Sequence, residues 1–306
     1  MLNAIVGLAP AFRASLAEED DDTAAGYSRI FVEAAETYLS RIARGMSDAL
    51  PLVDILLACS AHKDLEVAQH TWAFWSDLAF TLSLTEIHNY AHHFVPLFAR
   101  LVQVVAEHLR YPADTAQWTA AQYDDFSMFR HSVGDTLRDC ATVLGGAALL
   151  GHIKALLEST LSSGANGGAQ SWQHVEAVLF ALRASASVIS TSDYDALGPL
   201  MDMILSPAMP TNSKIKYTIV LIIARYAEWT TSHPEYIQAQ LTCVFAGFDD
   251  EEAAAAAARA IKDLGTYCAP LMTPFLETLL QFHETRVASL RPVDQVEVVE
   301  GLGTRK

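Results

Sequence analysis

The stretch Asp64–Leu82, DLEVAQHTWAFWSDLAFTL, predicts one amphipathic helix and, through it, the fold of the chain. Asp64 belongs to the residue types that cap helix N-termini. After it, apolar side chains recur every three or four positions, which places them on one helical face. These side chains are Leu65, Ala68, Trp72, Trp75 and Ala79.

The same 3.6-residue period continues along most of the chain, and strand-like alternation is hard to find. We expect antiparallel helix hairpins at intervals of about 35 to 50 residues, which is typical of helical solenoids. HEAT repeats fit best, because armadillo units usually add a third helix and tetratricopeptide units keep a stricter period. The predicted fold class is all-α: an α-solenoid of HEAT-like antiparallel helix hairpins in a right-handed superhelical arc.

We expect residues 1–306 to form a single HEAT-repeat solenoid segment, with about five full hairpins and a partial repeat at each end. Flexible loops are predicted near residues 110–123 and in the stretch SSGANGGAQ at residues 162–170. The predicted helices are Tyr27–Arg44, Pro51–Ala61, Asp64–Leu82, Glu86–Leu109, Asp124–Leu144, Ala147–Leu161, Ser171–Ile189, Tyr194–Leu205, Lys214–Thr231, Pro234–Gly247, Asp250–Cys268, one that begins at Pro270, and a weak one at Val293–Leu302.

Composition limits the classes of protein to which the chain can belong. About half of its 306 residues are apolar and 18% are charged, which is enough for a large core. No apolar run reaches the roughly 18 to 20 residues of a membrane span, and Met1–Leu16 lacks the features of a secretory signal. We therefore expect an intracellular protein. The cysteines are far apart in apolar helical contexts, which favours buried reduced thiols over disulfides or a zinc site; they are Cys59, Cys140, Cys243 and Cys268.

The formal net charge of -16 carries the first functional information. An acidic surface repels nucleic acid and anionic lipid and favours encounter with basic proteins. We therefore predict a basic protein partner, no direct nucleic-acid binding and no membrane binding. The alternative is that the charge only maintains solubility.

Enzyme signatures are absent from the sequence, so we predict that the chain is not an enzyme and needs no cofactor. It contains no G-x-S-x-G, G-x-x-x-x-G-K-[ST] or H-E-x-x-H motif. The histidines His88, His92 and His93 include an i,i+4 pair, but no carboxylate or thiol is placed to complete a zinc site. We expect no metal.

Five segments carry a resemblance to a known family: YSRIFVEAAETYLSRI from Tyr27, LLACSAHKDLEVAQHTWAFWSDL from Leu56, DDFSMFRHSVGDTLRD from Asp124, SWQHVEAVLFAL from Ser171 and AAAARAIKDLGTYC from Ala255. The chain resembles the middle HEAT-repeat segment of the transportin-SR branch of the importin-β (karyopherin) superfamily. The resemblance implies a nuclear transport receptor that shuttles between cytoplasm and nucleus. It also implies basic cargo such as Arg-Ser-rich RNA-binding proteins, Ran GTPase as a regulator of the full-length receptor, and nucleoporins as further candidates.

Two departures from the family pattern qualify this resemblance. The family's amino-terminal arch, with its main Ran contact, has no counterpart before Met1, and its later repeats have none after Lys306. We therefore expect an internal piece of a longer receptor or a shortened gene product. The alternative function is a HEAT-repeat scaffold or adaptor unrelated to nuclear transport.

Eight residues are candidates for binding a partner protein. The run Asp249, Asp250, Glu251 and Glu252 is denser than helix capping requires, whereas Asp124 and Asp125 are also explained as the start of a helix. Trp72 and Trp75 could form an aromatic surface, although filling the seam between repeats explains them as well. The acidic run at residues 18–22 is predicted to be a solvated loop.

Overall fold

The computed structural model describes residues 2–115, 117–165 and 172–303. Over these ranges the backbone forms helices and turns and contains no strand, which confirms the predicted all-α fold class. The chain divides into two compact units. The first comprises Met1–Arg110 with Asp114–His152, and the second comprises Tyr111–Ala113 with Ile153–Lys306.

The first unit is built from helix hairpins whose members pack in two layers. Its helices are α1 (Leu2–Val6), α2 (Ala9–Ala17), α3 (Asp21–Thr37), α4 (Leu39–Ala43), α5 (Leu50–Ser60), α6 (Leu65–Ala68), α7 (Trp72–Ser83), α8 (Val95–His108) and α9 (Ala120–Leu144). In one layer α3 contacts α6 and α7 contacts α9; in the other, α5 contacts α8. Helix α10 (Gly146–Ala165) contains the boundary between the two units.

The second unit repeats this hairpin pattern. Its further helices are α11 (Trp172–Ser185), α12 (Gly198–Ile204), α13 (Ser213–Arg225), α14 (Ala227–Thr230), α15 (Ile237–Gly247), α16 (Ala254–Met272), α17 (Leu276–Arg286) and α18 (Pro292–Gly303). Helix α11 packs on α13, α13 on α16, and α16 on α18, while α15 packs against both α13 and α16. Consecutive hairpins in this unit therefore stack through equivalent helices, as in a solenoid.

The predicted tryptophan helix is present but interrupted. Asp64 caps it as predicted, because its side chain accepts a hydrogen bond from the Glu66 amide at 2.7 Å. A 3₁₀ turn at Gln69–Thr71 then separates α6 from α7. Since 3₁₀ geometry advances by about 120° per residue rather than 100°, the register shifts across this turn. Leu65 is consequently 43% exposed, and its predicted place on the buried face is wrong.

The acidic run at residues 18–22 is a solvated turn in its first part, as predicted: residues 18–20 lie exposed between α2 and α3, whereas Asp21 and Asp22 already belong to α3. The side chain of Asp20 accepts a hydrogen bond from the Thr23 amide at 3.1 Å and caps α3. Carboxylates in the first turn of a helix are favoured by the helix dipole. The predicted helix Tyr27–Arg44 therefore begins earlier, and it breaks at Tyr38, where φ is -101° and ψ is 12°.

The two predicted loops are shorter than expected where the structure describes them. Thr119 and Gln122 form a capping box, which starts α9 at Ala120 within the predicted 110–123 loop. Helix α10 continues through residues 162–165, and the rest of the predicted 162–170 loop lies outside the described residues. The predicted helix Glu86–Leu109 is wrong in its first half. A 3₁₀ segment occupies His88–His93, and α8 begins at Val95 with a proline in its first turn.

Pro270 lies in the first turn of a new helical segment, as predicted. The range Ala254–Met272 of α16 joins two helices across a kink at Cys268, where φ is -112° and ψ is 18°. Proline lacks a backbone N–H and clashes with the preceding turn, which explains a kink just before it.

The predicted weak C-terminal helix is instead tightly packed. In α16 and α18, Gly265 and Gly301 face each other so closely that a Cβ atom on Gly265 would lie 2.0 Å from the Gly301 carbonyl oxygen. An ion pair between Lys262 and Glu300, at 2.6 Å, joins the same two helices. Glycine at both positions is therefore a condition of this helix crossing.

Candidate protein-binding surface

The two tryptophans occupy different environments. Trp75 is fully buried and packs edge-to-face against Phe74 and Phe98, with ring centroids at 5.3 and 5.9 Å. Trp72 is partly exposed, and its ring meets the edge of His108 at 5.3 Å. A partner cannot reach Trp75 in this structure, so its role is to fill the seam between helices. Trp72 keeps some exposed surface.

A buried polar network fixes the Trp75 ring. The indole N–H donates to the Ser60 hydroxyl at 2.8 Å, Ser60 Oγ lies 2.8 Å from Thr71 Oγ1, and Thr71 donates to the Ala68 carbonyl at 2.7 Å. Burial lowers the pKa of His108, which keeps its ring neutral, and its Nε2 lies 2.6 Å from the Ser60 carbonyl oxygen. Buried polar groups that are satisfied in this way specify one packing arrangement.

The acidic run at residues 249–252 lies in the turn between α15 and α16, because α16 begins at Ala254 rather than at the predicted Asp250. Most of its carboxylates bind bases of the same chain. Asp249 pairs with Arg286, Asp250 with Lys216 at 3.2 Å, and Glu252 with Lys214.

Helix α13 supplies two of those bases from its first turns. Cations near a helix N-terminus are unfavourable, so the acidic turn compensates Lys214 and Lys216. Burial would raise the pKa of Asp250, but hydrogen bonds from Ser213 and Lys216 outweigh burial and lower it. Glu251 is exposed and has no ion pair with the described residues. Within the run, Glu251 is therefore the carboxylate available to a partner.

Asp124 and Asp125 lie one turn inside α9, not at its start. The cap is Thr119, so the predicted explanation of this pair as helix-capping residues is wrong. Both side chains are exposed, and neither has a basic partner within ion-pair distance among the residues that the structure describes. They remain free to meet a cation from outside the chain.

A longer feature of α9 was not among the predicted sites. Asp124, Met128, Asp135 and Asp139 follow one another at intervals of four, seven and four residues, which places them on one helical face. We call these four residues the α9 stripe. The periodicity of polar residues could have revealed it, because the buried residues of α9 occupy the opposite face.

Helix α7 borders the α9 stripe. The Ser76 hydroxyl lies 3.5 Å from the Asp139 carboxylate. Burial raises the pKa of Asp139 to about 6, and the carboxylates of Asp135 and Asp77 act in the same direction. The nearby Arg138 is engaged with Asp135 at 2.5 Å. Arg138 also lowers the pKa of Asp139, so it partly compensates the negative charge that Asp77, Asp135 and Asp139 bring together here.

Other groups considered from the sequence have local explanations. The four cysteines are free thiols, and burial raises the pKa of Cys59 to about 12. Nδ1 of His92 lies 2.8 Å from the Asn89 carbonyl oxygen. The described ranges contain no group of three His, Cys, Asp or Glu side chains arranged to hold a metal ion. None of their helices combines the length and apolarity needed to cross a membrane.

Two family models match the chain in sequence order. The model of the Transportin-3/Importin-13 second TPR domain matches residues 19–108, and that of the third TPR domain matches residues 195–282. Together they cover more than half of the chain. The chain belongs to the karyopherin family.

This karyopherin chain is similar over most of its length to two yeast proteins. It is 33% identical over 300 residues to an uncharacterized protein of Schizosaccharomyces pombe. It is 30% identical over 294 residues to the mRNA transport regulator MTR10 of Saccharomyces cerevisiae. Each match covers 93% of this chain but only 31% and 29% of the relatives, so the karyopherin chain spans about a third of their length.

Solved structures share the fold of the karyopherin chain. The cytosolic state of Importin13 superimposes with a TM-score of 0.82 and 20% identity, covering 99% of this chain and 38% of that one. A structure of Kap95p with RanGDP superimposes with a TM-score of 0.66 and 16% identity, covering 96% of this chain and 35% of that one. The described helices therefore have the architecture of an importin-β-like solenoid.

Proposed function

We propose that this karyopherin segment binds basic cargo proteins for nuclear import. The observation that carries the proposal is the excess of 36 acidic over 20 basic residues on a fold built from stacked hairpins. Such stacks supply extended binding surfaces, and complementary charge speeds association and selects basic partners. The similarity to MTR10, an mRNA transport regulator, agrees with a transport role.

The more specific form of the proposal places the chain in the transportin-SR branch, with Arg-Ser-rich RNA-binding proteins as cargo. Residues 1–306 then act as one HEAT-repeat solenoid segment of a receptor that shuttles between cytoplasm and nucleus. The role is binding rather than catalysis, and it uses no cofactor. Of the candidate residues, Asp124, Asp125 and Glu251 carry uncompensated charge toward solvent, and Trp72 offers part of an aromatic ring.

Regulation by Ran belongs, in this proposal, to the full-length receptor. Cargo and GTP-bound Ran would favour different curvatures or overlapping surfaces of the solenoid, so each weakens the binding of the other. The coupling is reciprocal, because linked equilibria must change by the same factor. The structural similarity to Kap95p, which binds RanGDP, supports Ran as the regulator. Nucleoporins are further candidate partners for the shuttling receptor.

A pull-down tests the proposal. The immobilised chain is incubated at low salt with an Arg-Ser-rich protein, in parallel with and without GTP-loaded Ran. We expect retention of the Arg-Ser-rich protein and no retention of a protein of similar size with an acidic tail. Failure to retain the Arg-Ser-rich protein at low salt would reject the cargo proposal. A change in retention on adding Ran would place part of the regulation within this segment.

A further inference from the structure

A row of partly exposed aromatic rings begins at Trp118, just before α9, and continues along the first turns of that helix. The Trp118 ring packs edge-to-face against Tyr123 and Phe126, with ring centroids at 5.1 and 5.3 Å. The Phe126 ring stacks on that of Phe129 at 6.1 Å. All four residues belong to the first unit, and each keeps part of its surface exposed to solvent. We call Trp118, Tyr123, Phe126 and Phe129 the aromatic row.

The aromatic row is held in place by neighbouring groups of the chain. The guanidinium of Arg130, which is only 3% exposed, lies 5.8 Å from the centroid of the Phe126 ring. The Tyr123 hydroxyl donates a hydrogen bond to the Thr115 carbonyl at 3.1 Å. Side chains that are already fixed in this way lose little conformational entropy when a ligand covers them.

Trp118 also presents a hydrogen-bond donor. Its indole N–H has no acceptor among the residues that the structure describes, and the side chain is partly exposed. A tryptophan with an apolar ring face and an accessible polar N–H is typical of binding surfaces. The aromatic row therefore offers apolar ring faces and one donor side by side.

A proline-rich segment in the polyproline II conformation matches both properties. This conformation has no internal hydrogen bonds, so its carbonyl oxygens remain available as acceptors. Its prolines dock on surfaces lined by aromatic rings, and its preformed backbone has little entropy to lose. One turn of polyproline II takes three residues and about 9.3 Å, and Tyr123 and Phe129 are separated along α9 by about 9 Å. Prolines three positions apart therefore match the separation of these two rings.

We propose that the aromatic row binds a proline-rich segment of a partner protein that adopts the polyproline II conformation and lacks acidic residues. Prolines three positions apart cover Tyr123 and Phe129, and the Trp118 indole N–H donates to a carbonyl oxygen of the segment. The exposed carboxylates of Asp124 and Asp125 beside the row repel acidic segments. This binding is independent of the basic cargo in the proposed function, because ring contacts and one neutral hydrogen bond carry it.

Fluorescence anisotropy with the whole chain and a labelled peptide of four Ala-Pro-Pro repeats tests this assignment. An Ala-Ser-Ser peptide of equal length is the control ligand. Trp118→Phe removes the N–H and keeps an aromatic ring, while Phe129→Leu removes a ring and keeps an apolar side chain. The matched control variant is Phe80→Leu, which makes the same change in α7 at a ring that is 67% exposed and lies outside the row. Circular dichroism checks that each variant is folded.

We expect saturable binding of the proline-rich peptide with a Kd below about 1 mM, and no saturable binding of the Ala-Ser-Ser peptide. Trp118→Phe and Phe129→Leu should each raise the Kd about fivefold, through the loss of one hydrogen bond or one ring contact. Phe80→Leu should change the Kd less than about twofold. Raising the salt concentration from about 50 to about 300 mM should also change it less than about twofold, because no ion pair is involved.

Absence of saturable binding to the wild type, or equal binding of the Ala-Ser-Ser peptide, would overturn the proposal. Equal weakening by Phe80→Leu and Phe129→Leu would show that the peptide does not select the aromatic row. Unchanged binding by Trp118→Phe would overturn the assigned hydrogen bond, and a Kd that rises steeply with salt would attribute binding to charge instead. None of these results decides the basic-cargo proposal, which is tested with an Arg-Ser-rich protein.

Discussion

The crossing of α16 and α18 makes Gly265→Ala the most informative test of the packing. A Cβ atom at this position would lie 2.0 Å from the Gly301 carbonyl oxygen, 2.6 Å from its carbonyl carbon and 2.8 Å from its Cα. Ordinary contact begins at 3.4 Å, so the helices must separate by more than about 1 Å. The atoms in the way are backbone atoms, which cannot rotate aside as a side chain can.

Overpacking of this kind costs about 1 to 3 kcal/mol and occasionally more. We expect a net loss of about 3 kcal/mol for Gly265→Ala, even after the gain of up to about 1 kcal/mol that alanine brings to a helix interior. For a unit of this size the loss corresponds to a fall in Tm of about 6 to 12 °C. Thermal and urea unfolding, followed by circular dichroism, measure both quantities.

Two glycines provide matched controls for this substitution. A Cβ atom on Gly303, at the end of α18, or on Gly151, inside α10, meets nothing within 4 Å. Gly303→Ala should change stability by less than about 0.5 kcal/mol, and Gly151→Ala should increase it by about 0.5 to 1 kcal/mol. If Gly265→Ala melts at or above the wild-type temperature, the close crossing of the two helices is refuted.

Three further predictions concern buried polar groups. Ser60→Ala leaves the Trp75 indole N–H without its acceptor, so urea unfolding should give a free energy of unfolding that is lower by about 1 to 3 kcal/mol. An unchanged urea midpoint would contradict the hydrogen-bond network around Trp75. Asp139→Asn should stabilise the protein by about 1 kcal/mol at pH 7.5, a value reduced because the side chain is partly exposed. The reason is that the pKa of Asp139 is raised to about 6, so the wild type loses stability as the pH rises from about 4 to 6. The gain should vanish near pH 4, and a gain that persists there would contradict the stated cause. The lowered pKa of His108 has the opposite effect: its contribution to the free energy of unfolding is present above about pH 6.5 and is lost as the pH falls toward the folded-state pKa. His108→Gln should therefore make the stability less sensitive to acid below about pH 6.5. An unchanged dependence of stability on pH would contradict this role.

Local sequence signals predicted the fold class and several elements well. Helical periodicity depends only on neighbours three or four positions apart, so it identified the helices and the buried positions of Ala68 and Trp75. The N-cap role of Asp64 is confirmed for the same reason, because a cap and its amide lie two residues apart. Periodicity does not report interruptions such as the break at Tyr38.

The environment of the acidic run could not be predicted from its own sequence. Its partners Lys216 and Arg286 are 34 and 37 residues away from Asp250 and Asp249, and only the stacking of helices brings them together. The same holds for Gly265 and Gly301, whose contact depends on how α16 crosses α18. In contrast, the α9 stripe follows from spacing within one helix and could have been found in the sequence.

The central claim is that this acidic karyopherin segment holds a basic protein segment. Isothermal titration calorimetry of the whole chain with an Arg-Ser peptide, and with a Glu-Ser peptide of equal length, tests it most directly. At about 50 mM salt we expect saturable binding of the Arg-Ser peptide alone, with a Kd that rises at least about tenfold at 300 mM salt as the charges are screened. Equal binding of both peptides, or no heat with the Arg-Ser peptide at the lower salt concentration, would contradict the claim.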